Sequence, residues 1–216
     1  MKAVVLTCRA IEDEISFVLK ENGLSYPMIL VDAGLHDFPI KLKEKLQETI
    51  DRLCNVDYIL LGYALCGNGT IGLRSENATI VLPQFNDCIA MLLGSDERYH
   101  ENLGIKMGAY FCTRGWLEYL NPKKDYYDPM VPKIGHEKAY KIAKTIISNY
   151  KRFTLIENEA YNQEASFQKM KELADFFELQ THRMQGTLDI FRRLLNGQWD
   201  DKFQIVPPGQ EVELWD

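Results

Sequence analysis

Cys8, His36, Cys66, Asp87 and Cys88 are the side chains of this chain with the most chemistry to offer. Thiolates and imidazole nitrogens are the donors that zinc takes in tetrahedral sets, and a carboxylate beside them can act as acid, base or outer support. No CxxC, HxxxH or HExxH spacing is present, and Cys66 and Cys88 stand 22 residues apart, so any convergence must come from the fold. The competing reading is that each cysteine is a buried structural thiol, since cysteine is among the most buried residue types.

The elements that would gather these residues are short apolar runs alternating with amphipathic stretches. Residues 2–6 (KAVVL), 27–31 (PMILV), 58–62 (YILLG), 79–82 (TIVL) and 108–111 (GAYF) read as short buried strands. Residues 12–21 and 39–53 carry helical spacing, the second through Ile40, Leu42, Leu46, Ile50 and Leu53. This alternation predicts an α/β fold with a mainly parallel sheet flanked by helices and joined by right-handed crossovers. Ligands of such sheets bind outside the carboxyl ends of the strands. Cys8 follows the first strand, His36 the second, Cys66 the third, Asp87 and Cys88 the fourth, and Cys112 the fifth. Cys54 falls at the end of a helix, where a small buried hydrophobe is expected.

Residues 121–135 (NPKKDYYDPMVPKIG) carry three prolines and neither period, and read as a linker. Beyond them, helices are expected at 136–150, 164–177 and 186–195 and strands at 153–156 and 203–206. The expected organisation is an N-terminal α/β lobe over 1–120 carrying the Cys/His/Asp loops, a linker or crossing segment over 121–135, and a smaller α/β lobe over 136–216. Two Rossmann-like lobes would then face a cleft.

Composition narrows the function classes. An apolar fraction of 46% and a charged fraction of 26% are ordinary for a folded chain. A net charge of −6 disfavours nucleic acid. No apolar run approaches the roughly 18 residues of a membrane span. No leader of the secretory type is visible at the start, so a cytoplasmic location with reduced thiols is expected.

The loop over residues 66–72 (CGNGTIG) formally contains GxGxxG, but too few residues separate it from the next strand for a dinucleotide-binding helix. Gly67, Asn68 and Gly69 remain candidates for bringing backbone amides close to an anionic ligand. Asn86 or Asp87 is placed to cap a helix, which would put Cys88 in its first turn, where the helix dipole favours the thiolate. His36 also reads as an ordinary residue near a helix start. Arg114 could hold an anion or lie against Trp116. In the second unit Glu157, Glu159, His182 and Arg183 are the cleft candidates.

Several runs together resemble a bacterial and archaeal family known as domain of unknown function 1638. They are Leu35-His36 with Pro39, residues 62–69 (GYALCGNG), residues 86–89 (NDCI) with 92–95 (LLGS) and Tyr99, Tyr110-Phe111 with Gly115-Trp116, and residues 194–199 (LLNGQW) leading to 206–209 (VPPG). The resemblance spans nearly the whole chain. Within the family a histidine often stands where this chain has Asn86, and Cys112 lies outside the shared pattern. The resemblance implies a cytoplasmic α/β protein of anaerobic microbes, in the company of corrinoid-dependent methyl-transfer proteins. It implies no reaction.

Three readings follow. The first is a zinc-dependent enzyme in which Cys8, Cys66, Cys88 and His36 hold the metal and Asp87 or His36 moves protons, with methyl transfer to or from a thiol or a partner's corrinoid as its specific form. Gly67, Asn68, Gly69 and Arg114 would bind the small-molecule ligand. The second is a non-catalytic carrier of a cofactor or metal serving a methyltransferase, with Tyr63, Tyr110 and Trp116 lining its cleft; the corrinoid-binding DxHxxG pattern is absent from this chain. The third makes Cys66 or Cys88 a covalent nucleophile, His36 its base, and the Gly67 or Gly69 amide an oxyanion hole. Composition fixes neither substrate nor oligomeric state.

Overall fold

The computed structural model describes residues 1–97 and 108–215. Strands β1 (Ala3–Cys8), β2 (Met28–Val31), β3 (Tyr58–Gly62) and β4 (Thr79–Pro83) form where the apolar runs predict them and lie parallel in the order β2-β1-β3-β4. Their runs are continuously apolar because both faces of the sheet are covered. Val5 and Leu60 pack with Ile15 and Val18 of α1 (Glu12–Glu21) on one face, while Leu6 and Leu61 pack with Leu42 and Leu46 of α2 (Pro39–Asp51) on the other. Pro39 opens α2, where its missing N–H costs nothing.

Two strands join sheets that sequence order does not suggest. β5 (Ala109–Cys112) pairs with β6 (Arg152–Glu157), which pairs with β7 (Gln180–Gln185), in a second, three-stranded parallel sheet. β8 (Phe203–Val206) returns to the first sheet and lies antiparallel against β4. The chain therefore passes between the sheets on both sides of residues 121–135. That stretch is helical rather than an irregular linker, with a π turn over Lys123–Tyr127 and a short helix over Val131–Ile134. Its turns are too brief for an apolar period to register.

The remaining helices among the described residues include α3 (Cys88–Leu93), α4 (Arg114–Tyr119), α6 (His136–Ile146), α7 (Gln163–Phe177) and α8 (Asp189–Leu195), α5 being the short helix at Val131–Ile134. The loops leaving β5, β6 and β7 at their carboxyl ends pack on the segments that follow β1 and β4. Thr113 Oγ1 donates to the Ala10 carbonyl at 3.3 Å, Asn158 Nδ2 donates to Glu14 Oε1 at 3.0 Å, and the Thr187 amide donates to the Leu92 carbonyl at 2.8 Å. One apolar cluster runs through this junction, from Val5 and Ile15 to Phe111, Ile156 and Phe191. Among the described residues no helix is long and apolar enough to cross a membrane.

Candidate functional site

Parallel strands share one carboxyl edge, and on it the chain turns sharply after each strand. After β1, Cys8 caps a 3-10 turn over Arg9–Ile11, its Sγ accepting from the Ala10 amide at 3.5 Å. After β2, Asp32 caps a second such turn over Ala33–Asp37 by accepting from the Gly34 amide at 2.8 Å. His36 lies in that turn, with Nδ1 2.8 Å from the Ala33 carbonyl and Nε2 3.1 Å from Asp37 Oδ1, and its ring rests 5.1 Å from the Trp116 ring. After β3, Cys66, Gly67 and Asn68 are successive left-handed residues with φ of 47°, 65° and 71°. Two of the three are not glycine, and backbone held this way by its surroundings clusters at functional sites.

These turns bring Cys8, Cys66 and Cys88 to the wall of one chamber of about 20 Å³, shared with Asp32, Tyr63 and His36 and closed on one side by Trp116. That space suits a single ion or water and nothing larger. The thiols are partly buried, and removal from water pushes Cys8 up to about 11 and Cys66 up to about 12. Cys88 is raised well above the usual thiol range by burial, with the charges of Cys66, Asp87 and Cys8 adding to it. Tyr63 is 3% exposed, and its hydroxyl has no hydrogen-bond partner among the described residues although it lies within electrostatic reach of all three sulfurs. Without a ligand, the chamber therefore holds neutral thiols and an unpaired phenol.

As placed, no three His, Cys, Asp or Glu side chains among the described residues are gathered tightly enough to hold a metal ion. The donor chemistry nevertheless fits a soft divalent cation: three sulfurs, with an imidazole at the same wall, around a space of ionic size. Such binding would require the donor atoms to draw closer together.

The other expected site residues fall into place as follows. Asp87 caps α3, Oδ1 accepting from the Ala90 amide at 2.9 Å, and Cys88 opens that helix. Asp87→Ala is expected to lower stability by about 1 kcal/mol and Asp87→Asn to change it little, as measured by urea unfolding, because asparagine caps as well as aspartate. Gly67 and Gly69 serve packing: a Cβ on Gly67 would lie 3.1 Å from Pro39, and one on Gly69 2.9 Å from Leu42, so this loop lies flat on the start of α2. No helix follows Gly72, and the loop offers no helix N-terminus to a pyrophosphate. Arg114 is committed to Asp13, both carboxylate oxygens accepting from its guanidinium.

Cys112 is buried in the second sheet's core, donating to the Thr154 carbonyl at 3.6 Å, and does not line the thiol chamber. It belongs to β5, whose pairing with β6 carries it to the second sheet. Cys54 is exposed, contrary to its expected burial, because α2 ends three residues earlier at Asp51. Arg183 pairs with Glu157 at 2.9 Å and Glu159 with Arg192 at 2.6 Å, so these second-unit polar residues brace the surface. His182 lies on β7 with a buried Nδ1. Tyr99 lies outside the described residues.

Beside the chamber opens a larger cleft of about 420 Å³, and His36 and Trp116 stand in both walls. Tyr110 and Trp116 were expected at such a cleft. Asp37, Asp125, Tyr126 and Tyr150 also line it and were not anticipated, because they belong to a 3-10 turn, the expected linker and the segment after α6, where polar and aromatic residues are unremarkable.

A model of the family described as protein of unknown function DUF1638 matches residues 30–195. No curated protein and no solved structure matches the chain.

Proposed function

The chain belongs to the DUF1638 family, whose description carries no activity, and we propose that it is a zinc-dependent enzyme in which Cys8, Cys66 and Cys88 hold the ion and the neighbouring cleft receives a small molecule. One observation supports this reading: thiols from three strand ends line a single ion-sized chamber together with a buried phenol that has no hydrogen-bond partner among the described residues. A bound zinc would keep the sulfurs as thiolates and act as a Lewis acid. His36 and Trp116 form the partition between chamber and cleft, so a ligand in the cleft would lie against the thiol wall. The reaction class attached to this reading is methyl transfer to or from a thiol, or to a corrinoid held by a partner protein. Support for that class comes from thiolate nucleophilicity and from the family resemblance rather than from geometry. A cytoplasmic location suits it, because thiols stay reduced there.

The carrier reading keeps one point in its favour: a chamber of about 20 Å³ admits an ion and no reacting group beside it. A free cysteine nucleophile fits poorly, since burial holds all three thiols in the neutral form.

Metal analysis decides the matter. Protein purified under reducing conditions and desalted after exposure to zinc is expected to retain roughly one ion per chain. Cys66→Ser and Cys88→Ser should each lose it while their far-ultraviolet circular dichroism stays unchanged. Absence of retained metal, with all three thiols reacting equally with or without zinc, would sink the proposal. Turnover of a methyl donor by the loaded protein separates the enzyme from the carrier.

A further inference from the structure

The larger cleft has an unusual combination of walls. Tyr110, Trp116, Tyr126 and Tyr150 present aromatic surface to it, and Asp37 and Asp125 stand exposed at its rim. Among the described residues, no lysine or arginine lines it. The positive group facing Asp37 is His36, 3.1 Å away and charged only when protonated. The Asp125 side chain makes no hydrogen bond or ion pair among the described residues, although Lys124 beside it and His36 partly offset its charge. Partial burial raises the Asp125 carboxyl and the charge of Asp37 adds to the rise, so the two carboxylates also feel one another. Tyr126 feels both. Exposed carboxylates and aromatic rings lining one space favour a cation over an anion, and the space is large enough for a small organic molecule.

From this we infer that the cleft binds a small organic cation, an ammonium or quaternary ammonium group seated on the rings of Tyr110, Trp116 and Tyr126 and neutralised by Asp37 and Asp125. Aromatic quadrupoles attract such a group through their faces, and its weak hydration lowers the cost of leaving water. Anions are repelled by the same rim, and a neutral molecule gains only the apolar contact. The inference deepens the proposed function by naming the ligand class of its cleft. It does not depend on a metal in the thiol chamber, because none of the four aromatic residues and neither aspartate is a thiol ligand.

The test is calorimetric titration of the full chain, prepared without metal, with choline and with 3,3-dimethylbutan-1-ol, its uncharged counterpart of nearly the same shape. Choline is expected to bind about tenfold tighter than the alcohol, the size of effect that cation–aromatic contact with carboxylate support produces. Asp125→Asn should weaken choline several-fold and leave the alcohol unchanged. Tyr126→Leu should weaken choline more than the alcohol. Equal affinity for the two probes, or no choline binding at millimolar concentration, overturns the inference. Because metal retention is measured separately on the cysteine variants, failure of the cation site and failure of the zinc reading give different results.

Discussion

Gly115→Ala is expected to destabilise the protein by about 3 kcal/mol, the upper part of the range for an added carbon that backbone must accommodate. The new Cβ would stand 2.3 Å from the carbonyl oxygen of Ala10 and 2.9 Å from its carbonyl carbon. Neither atom can rotate away, since Ala10 lies in the 3-10 turn that Cys8 caps and its carbonyl accepts from Thr113 Oγ1. The clash must therefore separate α4 from that turn. Trp116 rides on α4 and Cys8 anchors the turn, so the same substitution should disturb both the thiol chamber and the cleft. Urea midpoints measure the stability loss, and a fall in thiol protection toward a charged disulfide reagent measures the opening. By contrast a Cβ on Gly34 would meet only Asp32 Oδ1 at 3.2 Å, and Gly34→Ala should cost far less. Equal stability of the two variants would show that the junction is looser than this contact implies.

The second large effect concerns pH. Glu14 is fully buried in the first turn of α1, on the stripe formed with Ile11, Ile15 and Val18. Oε1 accepts from Asn158 at 3.0 Å and Oε2 has no partner among the described residues. Burial pushes its carboxyl up to about 7, with Asp13 adding to the rise while the Asn158 bond and Arg114 oppose it. A raised acid binds its proton more tightly when folded than when unfolded. Its contribution to stability is therefore complete below the ordinary glutamate range and is lost as pH climbs toward 7. Integrated over that window, the loss is about 3 kcal/mol. Glu14→Gln, which stays neutral, should flatten this dependence and be more stable than the wild type at pH 8. Unfolding free energies at pH 5, 6, 7 and 8 test it; parallel slopes for the two proteins would rule it out.

Much of the first sheet was readable because its signals are local. The runs at residues 2–6, 27–31, 58–62 and 79–82 are almost continuously apolar, and the helix from Pro39 buries Leu42, Leu46 and Ile50, although Ile40 of the expected stripe is exposed. The strand QTHRMQ of β7 escaped notice because it lies at a sheet edge with neither face deeply covered, so its composition is polar. The partners of β5 and β8 could not be read either, since pairing across more than 40 residues leaves no mark in either strand. Glu14 was legible in principle. It occupies an inward position of an otherwise apolar stripe, and an acid there calls for a partner such as Asn158.

The site divides in the same way. That strand ends carry unusual residues pointed to Cys8, His36, Cys66 and Cys88, and the fold brings these four to one chamber wall. Arg114 looked free because Asp13 is about a hundred residues away in sequence. Asp125, Tyr126 and Tyr150 carry no pattern that separates them from surface residues, and only three-dimensional proximity makes them walls of a cleft.

The return of β8 to the flank of β4 has a bearing on biosynthesis. While the ribosome is still adding residues short of about 203, β4 has an open flank whose amides and carbonyls await a partner that does not yet exist. The second sheet, by contrast, has all its strands once residue 185 has emerged. The nascent protein can thus complete its later sheet before its earlier one, leaving an unsatisfied strand border for chaperones to shield until residues 203–206 have emerged.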